Sequence, residues 1–221
     1  MPLPAKIVLS DKELQLIHND AWFFTKQCVI EKVVGILQQC ITEVDLILFD
    51  AWRQISGNPS AIPKISRGEN YLGLPYVVLD YPRLFHKQST LAVRTMFWWA
   101  NFFSVTLYAT GSCKELIAQK IMNCPPQLYD DLYLCISKDP WQHHFKSTNY
   151  VLLKDVEKEK LQIILMQSEF VKIAYKINLD GINDMHQLLQ HHYKELAEML
   201  TNYQGGETIL LPGIPTAGFD L

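Results

Sequence analysis

Residues 95–110, TMFWWANFFSVTLYAT, decide how this chain can fold. Phe97, Trp98, Trp99, Phe102, Phe103 and Tyr108 crowd into that short span. With Leu91–Arg94 added, the segment is too long for one ordinary strand of about 5–6 residues, so the sequence predicts a hairpin over 91–110. Asn101 is the turn-former at its centre, and Asn tolerates left-handed backbone better than most residues.

Loop length decides which residues share a face, because a slip of one residue sends every side chain to the opposite side. A two-residue loop, Ala100-Asn101, would put Arg94 beside Met96, Trp98, Phe103, Val105 and Leu107. That leaves an unpaired charge on an apolar face, at a cost of several kcal/mol, order of magnitude. A three-residue loop, Trp99-Ala100-Asn101, sorts the residues better. Leu91, Val93, Phe97, Phe103, Val105 and Leu107 then form an apolar face, and Arg94, Met96, Trp98, Phe102, Ser104, Thr106 and Tyr108 an amphipathic one.

Helices precede this hairpin. Ser10 and Glu13 form a capping box ahead of Leu14, and Asn19-Asp20 can stop that helix and cap a second. From Trp22 to Ile55 apolar residues recur at helical spacing until Ser56-Gly57-Asn58-Pro59 ends the run. One helix over 20–56 would be roughly 55 Å long at about 1.5 Å per residue, so it bends near Gly35 or crosses the whole molecule. A second apolar stripe, including Phe23, Ile30, Leu37, Leu48 and Trp52, predicts cover on more than one side.

After a polar loop over 59–73, Leu74–Asp80 is predicted as a strand buried on both faces and halted by Pro82. A helix over 111–123 follows the hairpin, then a strand over 132–137. Asp139-Pro140 signals a short helix, and 156–167 a further one. In 170–177 the alternation sends Val171, Ile173, Tyr175 and Ile177 inward and Lys172 and Lys176 outward. Ile182, Met185, Leu188, Leu189, Leu196, Met199 and Leu200 mark a C-terminal amphipathic helix, ended by Gly205-Gly206. The apolar tail, 205–221, is expected to dock on the body. The whole predicts one α+β domain over 1–221, with an N-terminal helical pair, a mainly antiparallel sheet centred on the 91–110 hairpin, and a C-terminal amphipathic helix. Its sub-regions are 10–57, 74–177 and 181–204.

Composition narrows the function classes. The chain has 221 residues, 48% hydrophobic and 19% charged, with a formal net charge of −3. No Lys/Arg block is present, so a nucleic-acid partner is not expected. No stretch supplies the ~20 apolar residues of a spanning helix, and no membrane role is expected. MPLPAKIVLS has no basic leader or apolar core, and the five cysteines form no C-x-x-C pair, which together predict a cytoplasmic protein with reduced thiols.

Several residues are candidates for chemistry. Arg94, Trp98, Phe102 and Tyr108, with Asp80 and Arg83 nearby, would present aromatic planes and a guanidinium to a planar or anionic ligand or a protein partner. The same face could join two copies of the chain as a homodimer. Alternatively helices cover it, and Arg94 pairs with Asp80 or Glu69. A cofactor-independent enzyme is the competing reading, with Cys113 as a nucleophile at a helix N-terminus, or Asp80 and His86 as an acid–base pair. Ser112 and Glu115 would equally form a plain capping box there. The seven histidines include no pair at i, i+4, so no metal site and no cofactor are expected. His191 with Glu195 reads as a surface pair, and His192 as a core residue.

Overall fold

The computed structural model describes residues 7–56, 62–85 and 89–201. The tail over 205–221 and His86 lie outside the described residues. Helix α1 (Asp11–Ile17) starts with the Ser10–Glu13 capping box, and Asn19 Oδ1 accepts from the Trp22 N–H at the start of α2 (Asp20–Ser56). Helix α2 runs through Gly35 as one element of 37 residues. Its middle and C-terminal parts bury Ile30, Val33, Leu37, Cys40, Val44, Leu48, Ala51 and Trp52, while Trp22, Phe23 and Phe24 stay exposed. The second stripe is therefore covered from Ile30 onward and not at Phe23.

Seven strands form one antiparallel sheet: β1 (Lys64–Tyr71), β2 (Leu74–Phe85), β3 (Thr90–Trp98), β4 (Phe102–Thr110), β5 (Leu132–Cys135), β6 (Tyr150–Leu152) and β7 (Phe170–Asn178). Their order is β1-β2-β3-β4-β7-β5-β6. Helix α3 (Gly111–Asn123) follows β4, α4 (Lys158–Gln167) precedes β7, and α5 (Met185–Thr201) packs on α2. The fold is thus α+β, with the hairpin at the centre of the sheet.

The hairpin has the three-residue loop: Trp98 pairs with Phe102, Phe97 with Phe103 and Arg94 with Thr106. One detail differs. Ala100, not Asn101, takes the left-handed conformation, at φ 58°. Asn101 N–H closes the turn on Trp98 O at 3.0 Å, so Ala100 occupies the third turn position, where a type II turn needs positive φ. Asn101 instead ties the loop with its side-chain amide on Trp99 O, at 2.8 Å. Relieving the exposed Ala100 of its Cβ should help, so Ala100→Gly is expected to raise unfolding free energy by about 1 kcal/mol in urea titration. Asn101→Gly, at ordinary φ, should lower it.

Elsewhere the sequence-based reading needs correction. The predicted loop over 59–73 contains β1, whose KISRGENY sequence carries no apolar alternation because it is an edge strand. Leu72 and Gly73, at φ 50° and 86°, make the tight turn into β2. Pro82 does not halt β2. It lies in a bulge between Asp80 and Arg83, where the ladder asks for no N–H. Helix α3 spans 111–123 as expected, but its N-cap is Thr110, because Gly111 at φ 58° turns the strand straight into the helix. Ser112 is therefore not a cap. Residues 139–149 form no helix: Asp139 Oδ1 accepts from the Trp141 N–H at 2.9 Å, an Asx turn that competes with helix initiation.

The main core lies between the helices and one sheet face. Leu91, Val93, Phe97, Phe103, Val105, Leu107, Val171, Ile173 and Ile177 meet α2, α3 and α5 there. A polar link crosses it: the Thr95 and Tyr193 hydroxyls lie 2.6 Å apart, joining β3 to α5. The opposite face holds two smaller clusters, both touching Phe145 of the segment between β5 and β6. That segment, residues 136–149, covers the sheet face that no helix reaches.

Candidate functional site

The amphipathic face of the hairpin is divided by this covering segment. Its aromatic end is closed. Trp98 and Phe102 are buried, with Phe145 edge-on to Phe102 at 5.0 Å and Tyr71 against Trp98 at 5.0 Å. The Trp98 indole donates to Tyr71 O at 3.1 Å. The Tyr71 hydroxyl in turn accepts the backbone N–H groups of His143 and His144, which fastens the segment to the sheet. Exposed aromatics stand elsewhere, at Trp22, Phe23, Phe24, Phe85 and Trp141.

The Arg94 end is open enough to hold a cavity of about 100 Å³. It is walled by Asp80, Phe85, Ala92, Arg94, Thr106, Tyr108, Pro140, Trp141, His143 and Lys172. Four strands build it by register: Asp80 opposes Arg94, Arg94 opposes Thr106, and Tyr108 opposes Lys172. Arg94 donates from Nε to Asp80 Oδ1 at 2.7 Å and from Nη2 to Oδ2 at 3.0 Å, a two-pronged ion pair. Its third nitrogen, Nη1, is 3.3 Å from His143 Nε2. An arginine always donates, so Nε2 accepts and the His143 ring is neutral. Burial, then the nearby Lys172 and Arg94 charges, lower the His143 pKa to about 3.

Lys172 is the residue that the alternation misplaces. Period-2 logic sends it outward on β7, yet it is 2% exposed because residues 137–149 lie over it. Lys176, further along, is exposed as expected. Lys172 Nζ donates to Pro140 O at 2.8 Å and to Gln142 O, and lies over the Tyr150 ring at 5.4 Å. No carboxylate pairs with it among the described residues. Burial, with Arg94 adding to it against the nearby Cys135 and Asp139, lowers its pKa to about 8. Keeping it protonated at neutral pH therefore costs the fold on the order of 3 kcal/mol.

The remaining candidates are scattered. Arg83 donates from Nε to Ile62 O at 3.1 Å and stacks on Phe85, so its guanidinium serves the sheet edge. Cys113 belongs to the helix-covered core, away from the cavity. Burial raises its pKa, with the Ser89 hydroxyl acting against it, and the thiol is protonated at neutral pH. Glu69 pairs with Lys26, and Asp80 is the partner Arg94 takes. The four cysteines Cys40, Cys113, Cys124 and Cys135 are buried, and all five are free thiols.

Of the candidates read from the sequence, Asp80, Arg94 and Tyr108 line this cavity; Lys172, His143 and Trp141 line it too and were not among those candidates. The Asp139-Pro140 signal marked a structured segment but not what it covers. A lysine flanked by Val171 and Ile173 carries no sign of burial on its own. Among the described residues His191, His192 and Glu195 of α5 also converge. No helix among them is long and apolar enough to cross a membrane. No protein-family model, no curated protein and no solved structure matches this chain.

Proposed function

We propose that this chain binds a small organic anion, a carboxylate, in the cavity between the sheet and residues 137–149. One observation carries the reading: the cavity is lined by a buried ammonium, Lys172, that has no carboxylate partner among the described residues. Asp80 offsets Arg94, so the lining keeps one positive charge in excess. A bound anion would supply the missing charge in a setting where an unpaired ion is costly. At ~30 Å³ per water, the space admits roughly three waters or the carboxylate end of a larger molecule. Phe85, Ala92, Pro140 and the Trp141 ring give the ligand apolar walls, while Lys172 and Arg94 fix its charged end.

The test is thermal shift and calorimetry of the full chain with acetate and benzoate, against methylammonium as the cationic control. The two anions are expected to stabilise and the cation to do nothing. Trp141 is 66% exposed at the cavity wall, so Trp141→Ala should leave Tm unchanged and weaken benzoate about tenfold. Lys172→Met should abolish the shift. Because only the protonated amine attracts the anion, affinity is fully present below about pH 8 and should fall about tenfold per unit above it. Absence of any anion effect at millimolar concentration, or unchanged binding in Lys172→Met, overturns the reading.

A further inference from the structure

We propose that His191, His192 and Glu195, on one turn of α5, bind a divalent transition metal of the zinc type. Helix spacing alone argued against this, since adjacent histidines point in directions about 100° apart at 3.6 residues per turn. The rings nonetheless converge, with centroids 5.3 Å apart, and one carboxylate reaches both. Glu195 Oε2 is 2.7 Å from His192 Nδ1, and Oε1 is 3.5 Å from His191 Nε2. One nitrogen of each ring and a carboxylate oxygen all lie within 4.8 Å of one another. Zinc–nitrogen bonds of about 2.0–2.1 Å require tetrahedral ligands ~3.3 Å apart, so small side-chain rotations complete the site.

Two independent features point to a ligand. First, His192 occupies the core-facing side of α5 at 9% exposure, among Met185, Leu189, Tyr193 and Leu196, where a leucine would fill the space. Its ring is held by Tyr175, stacked at 4.5 Å and 20°. Second, Tyr175 is 1% exposed, and its hydroxyl is the buried side-chain oxygen without a hydrogen-bond partner among the described residues. That phenol lies within electrostatic range of Glu195 and Asp131, and Asp131 also acts on His192. A buried donor within electrostatic range of the carboxylate can orient it from behind once a metal is bound. Nitrogen with carboxylate ligands suits zinc, and hard cations such as Mg²⁺ should bind far less well.

Calorimetric titration of the full chain with zinc chloride, after chelator treatment, should show one site. His191 has a side chain 65% exposed, so His191→Ala should fold normally and lose affinity by ~10- to 100-fold. Glu195→Gln should do the same, and His186→Ala, on the same helix, should not. Tyr175→Phe separates the site from a merely structural cluster. Removing an unpaired hydroxyl should leave the metal-free protein as stable as before, or more so, yet weaken zinc about tenfold. No stoichiometric zinc binding, or His191→Ala and Glu195→Gln variants that bind zinc as tightly as the unaltered chain, overturns the proposal.

Discussion

Phe103→Ala is expected to lower the unfolding free energy by about 4 kcal/mol, the largest effect of any single truncation in the hairpin. Phe103 is fully buried in the main core, tilted against Phe97 at 5.0 Å and paired across the sheet with Ile177. Its removal forfeits apolar transfer and leaves a hole between a rigid sheet and three helices that cannot collapse into it. For a chain of this length, a loss of that size shifts Tm by roughly 10 °C, at about 2–4 °C per kcal/mol. Phe102→Ala should cost less. Phe102 sits in a cluster of four buried residues whose roof is Phe145, on a segment without regular structure that can settle inward. Urea titration of both variants checks the order. If Phe102→Ala proves the costlier, the register is wrong by one residue and the face assignment falls with it.

Arg94→Met is expected to cost about 3 kcal/mol, because it leaves the Asp80 carboxylate without its partner in a mostly covered site. The side chains are 26% and 14% exposed, so the penalty falls short of that for a fully buried pair. The double variant Asp80→Leu with Arg94→Met should recover much of the loss, since the neighbouring Phe85, Ala92 and Tyr108 are compatible with apolar replacements. A double-mutant cycle showing no coupling would mean that the pair, despite bonds at 2.7 and 3.0 Å, contributes nothing to the fold. Anion binding should be lost in both variants, which separates the arginine's part in stability from its part in the cavity.

The hairpin shows why some of this was legible in advance. Its alternation, with Arg94 as the odd residue, is a local property, and a three-residue loop is the one that keeps that charge off the apolar face. The Ser10–Glu13 box, the Asn19 cap and the β7 periodicity are local in the same sense. Strand β1 was invisible because an exposed edge strand gains its hydrogen bonds from β2 and needs no apolar pattern. The contacts of His143 with Arg94 of β3 and Tyr71 of β1, 49 and 72 residues away in the chain, are likewise a tertiary matter.

By itself the sequence determined the α+β class and the central hairpin with its register, and it offered Asp80 or Glu69 as the partner of Arg94. Each follows from periods and caps acting over a few residues. Only the tertiary structure decided that the amphipathic face is closed over Trp98 and Phe102 and hollow beside Arg94. It also decided that Lys172 is buried, and that adjacent histidines on α5 can share one carboxylate. Burial of an outward-facing lysine depends on a segment some thirty residues away in the chain folding over it. Alternation assigns a side chain to a face of the sheet, but what covers that face is set by packing.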